Sequence, residues 1–386
     1  MSSSNSKNRP GTDAPNGHCV LSITTDRQAG GIANALVSYS TALAAKGHHH
    51  IIILPSSAVI IPTLKQIKTV CLITLSPALI KFHLLTRGLF ASAIRTALAQ
   101  ADVFFLHNSL LLPRLSPTDR PCFLVNHSGK TRHLNRADHI IFLTQVMRNR
   151  TIDKLPQLAS HPDRLHVLPH GFVLNQTSKT TQPTTIEQEP PILRVVSAGR
   201  FVEKKGFSVL IAAAKLCAAA GIPCQMDIFG EGPLKASLQN QITQSSLTSV
   251  SLKSWSDDLS RVFADADLFC SPSLDEPFGL VIGEAMAMGL PVIAAETDGA
   301  VELLGQQASS GDTSLQNGGL IVPKGDVEAL AAAISRFYAD AKLRHTAGQN
   351  ARKRIETHFT HAHLADRLDQ LLRTMSPLST AERSYI

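Results

Sequence analysis

No glutamate occurs before Glu187, although the chain runs to 386 residues. Up to residue 185 there are 19 Lys and Arg against 7 Asp and Glu, a balance of +12. The remainder, with 18 basic and 23 acidic residues, carries −5. A basic first half joined to an acidic second half implies that the first faces something anionic. Aromatic residues are scarce, with one Trp and three Tyr, and no basic patch interleaved with aromatics is present. That argues against nucleic acid and leaves an anionic membrane surface as the preferred partner of the basic half. The plainer reading is that these charges only solubilise it. The six cysteines form no Cys-x-x-Cys pair and several lie in apolar runs. They read as buried reduced thiols, which implies the cytoplasm. No apolar run reaches spanning length, and residues 1–16 are polar, without the apolar core of a signal peptide. The expectation is a disordered tail on a cytoplasmic protein, a candidate for peripheral binding to the inner face of the membrane.

What is present reads as α/β. The length suits two cores. Residues 20–24 form a short apolar strand, followed by the Gly30-Gly31 turn, a helix over 32–46 and a strand over 50–54. This is a Rossmann-type strand–glycine loop–helix–strand unit. It is not a dinucleotide fingerprint, because the third glycine and the acidic residue ending the second strand are missing. His48, His49 and His50 cannot all converge on one metal ion, since consecutive strand residues point to opposite faces. Residues 58–100 are harder to read. Residues 79–100 have helical character and mix Lys81, Arg87 and Arg95 with Leu, Phe and Ile, which fits a core helix or a membrane-docking one. Two further strands end in His107 and His127, at the strand ends where open α/β sheets bind ligands. A Thr-, Gln- and Pro-rich stretch, 176–191, reads as a linker. Beyond it a strand over 193–198 leads into Gly199-Arg-Phe-Val-Glu-Lys-Lys-Gly206.

The richest stretch runs from Ser271 to Ala295. It reads as a strand end, a loop holding Asp275 and Glu276, and a helix over about 279–288. Gly289 then stands at the C-cap position, Pro291 forbids continuation, and a buried strand follows over 290–295. Glu276 and Glu284 have seven residues between them. One carboxylate therefore sits at the helix mouth and the other about two turns along. The N–H groups of Phe278, Gly279 and Leu280 read as first-turn donors with the positive helix end behind them, which suits a phosphate. Two carboxylates beside a phosphate site suit hydroxyl groups. A phosphate flanked by polyol hydroxyls describes a nucleotide sugar.

This string resembles the donor signature of the retaining glycosyltransferases of family 4: Pro-Ser, a few residues, Glu-x-Phe-Gly-x, a second Glu, then Ala-x-Ala-x-Gly-x-Pro-Val. The family has the GT-B fold. The resemblance therefore implies two Rossmann-like domains facing across a cleft, here 17–175 and 192–357. It also implies a C-terminal helix within 358–386 that crosses back to the first domain. Gly199 to Gly206 resembles the family's Gly-Arg-x-x-x-x-Lys-Gly, in which Arg and Lys clamp the donor diphosphate, so Arg200 and Lys205 take those roles. Glu276 would hold sugar hydroxyls and Glu284 the ribose. Gly30 and Gly31 match the loop that offers N–H groups to the diphosphate. His127 matches a histidine near the anomeric carbon, with His107 the second choice. The catalytic set is thus Arg200, Lys205, Glu276 and His127, and the donor-binding set Gly30, Gly31, Phe278, Gly279, Leu280 and Glu284. The sequence departs from the family at His170, where Asn is usual, and at Ser254, where glycine is common.

Asp265-Ala-Asp267 spells a metal-binding motif of another fold, but it leads straight into a strand and matches the family's structural Ala-Asp. No metal and no cofactor beyond the substrate are expected. The resemblance implies transfer from a nucleotide sugar, by preference a UDP-sugar, to a glycan or lipid-linked acceptor in polysaccharide or lipopolysaccharide assembly. The other readings are a nucleotide-sugar 2-epimerase of the same fold and a silent partner-binding subunit. The first half is poor in the carboxylates an epimerase needs, and a silent subunit would be expected to have lost the motif residues.

Overall fold

The computed structural model describes residues 17–28, 30–89, 91–115, 120–174, 192–256, 258–305 and 317–375. The tail and linker expected at 1–16 and 176–191 lie outside them. Among the described residues thirteen strands fall into two sheets. The first holds β1 (Cys19–Ile23), β2 (His49–Pro55), β3 (Val70–Leu75), β4 (Val103–Leu106), β5 (Cys122–Asn126), β6 (His139–Phe142) and β7 (Leu165–Val167), in the order β3-β2-β1-β4-β5-β6-β7. The second holds β8 (Leu193–Ala198), β9 (Cys224–Phe229), β10 (Val250–Lys253), β11 (Leu268–Ser271), β12 (Val292–Ala295) and β13 (Gly319–Val322), in the order β10-β9-β8-β11-β12-β13. Every pairing is parallel.

Parallel strands need crossover helices, which cover both faces, so the central strands must be apolar throughout. β4, β5, β11 and β12 are accordingly buried at every residue. In the second sheet Leu193, Val195, Met226 and Ile228 pack with Leu210, Ile334 and Phe337 in one core. Strand order reverses between β1 and β4 and again between β8 and β11, and such a reversal opens a crevice at the strands' carboxyl ends.

The chain divides into two compact units. The first comprises the chain up to Phe142, then Lys154–Leu168 and the residues from Leu364 on; the second comprises Leu143–Asp153 and Pro169–His363. The helix His361–Thr374 begins in the second unit and continues into the first. There Asp366 lies 2.5 Å from Lys46, and Asp369 Oδ1 lies 3.0 Å from His48 Nε2.

Two local outcomes differ from the sequence reading or extend it. Residues 79–100 are two helices, Pro77–Leu85 and Ser92–Gln100. The chain leaves the first through Arg87 and Gly88 at positive φ, and the Gly88 and Arg87 N–H groups close back on His83 O and Leu84 O. That pattern is a Schellman stop, so apolar periodicity continuing past it carried no helix. Residues 61–75, less clear in sequence, form the short helix Ile61–Leu64 and the strand β3. The three consecutive histidines do separate: His48 turns to Asp369, while His50 bonds Ser22 and Ser40.

Candidate active site

In the second unit three loops meet at the carboxyl ends of β8, β11 and β12. After β8, Gly199 N–H donates to Phe229 O (2.9 Å) and Phe201 N–H to Glu231 O (2.8 Å). Phe201 is fully buried, which pins the turn from below and leaves Arg200 exposed at its rim. A single 3-10 turn, Glu203–Lys205, then delivers Lys205, and Gly206 starts the helix Phe207–Ala219 from a left-handed conformation (φ 65°). Only glycine serves there. Beyond the backbone strain, a Cβ on Gly206 would stand 2.1 Å from Pro272 O. The close approach lets the loop after β11 lie on this turn, where Leu274 N–H donates to Lys204 O at 2.8 Å.

That contact sets Glu276 against Lys205, and their carboxylate and ammonium form an ion pair. Both side chains are less than one-fifth exposed, at 16% and 19%. The third loop holds the backbone: Gly299 N–H, in the helix Asp298–Leu304, donates to Glu276 O at 2.9 Å. Residues 71 positions apart thus make one charged pair because β8 and β11 are sheet neighbours.

The helix beside the pair runs Leu280–Ala287, with Gly279 as its N-cap, so the N-cap residue has no side chain to cap its first N–H groups. Phe278 lies just before it, with its side chain buried. Its ring stacks on Phe172 (centroids 5.9 Å apart) and meets His170 edge-on (4.9 Å). His170, the departure noted in sequence, is thus a packing residue, and burial lowers its pKa to about 4. The far end closes as the sequence implied. Leu290 N–H donates to Ala285 O and Gly289 N–H to Met286 O, with Gly289 left-handed. Phe172 also sets the helix's height, since a Cβ on Gly283 would lie 1.9 Å from its ring. Nothing in the sequence marks Phe172 as a neighbour of this helix, and a glycine inside an apolar helix was the one available hint.

Glu284 is partly buried in that helix, and loss of water pushes its carboxyl up from the usual 4.5 to about 7. Between those pH values the folded chain holds a proton that the unfolded chain has released, so stability falls as pH rises through the window. The cost is on the order of 1–3 kcal/mol above pH 7. Glu284→Gln should therefore melt a few degrees higher than the parent at pH 8 and at the same temperature near pH 4, measured by thermal unfolding. An equal melting temperature at pH 8 would show that the carboxylate is not strained by burial.

The remaining sequence candidates, Gly30, Gly31 and His127, belong to the first unit. Gly30 and Gly31 open the helix Gly31–Ala45, and His127 follows β5. Asp267 Oδ2 accepts the Arg194 N–H at 2.9 Å, and Arg194 Nη1 donates to Asp265 O at 3.2 Å. These hydrogen bonds tie the Asp-x-Asp spelling to strand β8. Among the described residues no group of three or more His, Cys, Asp or Glu could hold a metal ion.

Residues 178–354 match the family model described as glycosyl transferases group 1. The chain is 31% identical over 221 residues to the amylovoran biosynthesis glycosyltransferase AmsK of Erwinia amylovora, covering 54% of this chain and 50% of that one. It is 31% identical over 180 residues to the capsular polysaccharide biosynthesis glycosyltransferase CapM of Staphylococcus aureus, covering 46% and 44%. The chain spans about half the length of the curated relatives it matches. Among solved structures, HepE of Anabaena in complex with UDP superposes with a TM-score of 0.74 at 21% identity, covering 93% of this chain and all of that one. Sucrose-phosphate synthase of Thermosynechococcus elongatus gives 0.70 at 22% identity, covering 92% and 98%. The fold is GT-B, with two Rossmann-like domains.

Proposed function

We propose that the protein is a retaining glycosyltransferase of family 4. It would move a sugar from a nucleotide sugar, by preference a UDP-sugar, to a glycan or lipid-linked acceptor in cell-surface polysaccharide or lipopolysaccharide assembly. The observation that carries this reading is the Lys205–Glu276 pair beside a helix start whose N-cap is glycine. Arg200, Lys205 and that helix end would stabilise the charge that grows on the leaving diphosphate. Glu276 would hold sugar hydroxyls and Glu284 the ribose. In the first unit, His127 would touch the sugar and Gly30 and Gly31 the diphosphate. No side chain here is a convincing nucleophile, so the new bond forms on the face the diphosphate leaves, and the diphosphate helps take the acceptor proton. The protein contributes orientation and charge stabilisation. Support comes from relatives named for amylovoran, lipopolysaccharide core and capsular polysaccharide biosynthesis. A neighbour solved with UDP-glucose supports the donor class.

The test is release of nucleoside diphosphate from a set of UDP-sugars with and without glycan and lipid-linked acceptors. Acceptor-dependent release should appear and should persist in excess EDTA, because on this reading Arg200, Lys205 and the helix dipole would take the place of a divalent ion. Loss in EDTA with rescue by Mg²⁺ or Mn²⁺ would overturn metal independence. Sugar isomerisation without an acceptor would overturn the transferase reading itself.

A further inference from the structure

In the second unit the segment that follows β7 lies beside the segment that opens the C-terminal helix. Phe172 N–H donates to Phe359 O at 2.7 Å and His361 N–H donates to Phe172 O at 3.2 Å, a parallel bridge of Phe172 with Thr360. Gly171 permits the approach, since a Cβ there would stand 2.8 Å from His361 Cα and 2.9 Å from Thr360 O. The chain re-enters this unit at Pro169 and leaves it after His363, so the bridge ties entry to exit. The backbone of Phe172 is held in this way, and its buried ring is held by two further neighbours. It stacks on Phe278 with 10° between the planes and centroids 5.9 Å apart. The three atoms nearest a Cβ on Gly283 are all at the far end of this ring, Cζ, Cε2 and Cε1, at 1.9, 2.4 and 2.5 Å. On its other side Phe278 is backed by Gly299, where a Cβ would lie 2.2 Å from the Phe278 carbonyl carbon and oxygen. Phe278 is therefore clamped between the Phe172 ring and the helix Asp298–Leu304, whose Gly299 N–H also donates to Glu276 O at 2.9 Å.

We propose that Phe172 is a positioning residue for the donor site: fixed by its bridge to Phe359 and His361, its ring sets where Glu276 and the first turn of the helix Leu280–Ala287 stand. The direction of control follows from what is able to yield. Phe172 is bonded through both its N–H and its carbonyl, so its ring has no room to back away. The helix meets that ring with a glycine, which has no side chain to adjust. A change in the ring therefore moves the helix and the Phe278 segment as one, with Glu276 two residues before Phe278 and Glu284 directly after Gly283. The placement follows from the packing alone, whereas its use on a nucleotide sugar rests on the function proposed above. Such placement matters because a misplacement of about 1 Å costs up to about 100-fold in rate.

The experiment uses the full chain and three variants: Phe172→Leu, Gly283→Ala and the two combined. Leucine lacks Cζ and both Cε atoms, so the double variant exchanges the ring tip for a methyl group across the same gap. Amide hydrogen exchange reads the placement with no ligand present. Gly283 N–H and Gly299 N–H, bonded to Gly279 O and Glu276 O, should exchange about tenfold faster in each single variant while strand β9 stays as in the parent. The double variant should return most of that protection. Calorimetric titration with UDP, and initial rates with UDP-sugar and acceptor, read the use. Each single variant should bind UDP about tenfold more weakly and turn over about 10- to 100-fold more slowly, and the double variant should recover most of both. If Phe172→Leu does not fold, Phe172→Met, which keeps bulk but not the stacking face, should show the same local exchange at smaller amplitude. A role in packing alone would lower the melting temperature and leave UDP affinity and exchange at Gly283 and Gly299 unchanged well below it. That result would overturn the proposal, as would losses that multiply in the double variant instead of cancelling. A parent protein that binds no UDP would refute the transferase reading by itself, because the exchange rates decide the placement without nucleotide.

Discussion

Lys205→Ala and Glu276→Ala should each lower turnover more than tenfold at saturating donor while the fold survives. Each side chain is assigned at least one charge-assisted hydrogen bond to the donor, worth roughly 1.5–3 kcal/mol, and about 1.4 kcal/mol is a factor of ten. The pair also holds itself in place, since the carboxylate fixes the ammonium where the diphosphate would lie. The double variant should therefore lose less than the product of the two single losses, because removing either partner already frees the other. Circular dichroism and thermal unfolding would establish that the variants fold, and initial rates of diphosphate release would measure the loss. Near-parental transfer by either folded single variant would remove both residues from the site.

The full chain should bind vesicles containing anionic lipid at low salt and release them as salt rises. The structure adds to the charge argument a face that carries it. The helix Pro77–Leu85 buries Ile80, His83 and Leu84 and turns Leu79, Phe82 and Leu85 to solvent, with Leu89 just beyond. These four are 45% to 67% exposed, and Lys81 and Arg87 lie exposed among them. Apolar side chains grouped with cations are what interfacial binding requires. Each Lys or Arg near such a surface contributes about 1 kcal/mol within a Debye length, so a few suffice for reversible docking. Co-sedimentation should show most of the protein on anionic vesicles, little on neutral ones, and little in either case for Leu79→Ser, Phe82→Ser, Leu85→Ser and Leu89→Ser combined. No pelleting on anionic vesicles at low salt would discard the membrane and favour a soluble anionic acceptor. Among the described residues no helix is long and apolar enough to cross a membrane.

Much of this protein could be read without coordinates, because the signals are local. Apolar strands with glycine turns and helices between them dictate a parallel α/β sheet, twice over. The Glu276–Glu284 spacing sets two carboxylates two turns apart on any helix, and Gly289 followed by Pro291 stops that helix wherever it lies. The tertiary structure decided whatever depends on which strands become neighbours. Sheet order brings β8 beside β11, and only that turns Lys205 and Glu276 into a pair. Burial is likewise a property of the assembled core, so the displaced titration of Glu284 is invisible in its sequence neighbours. The helical pattern over 79–100 misled because periodicity does not register a left-handed turn at Arg87 and Gly88. The contacts among the buried histidines were the least legible part. Ser40 lies in the helix Gly31–Ala45, Ser22 and His50 in β1 and β2, and His107 and His127 just beyond β4 and β5, and only sheet order brings them within hydrogen-bond reach.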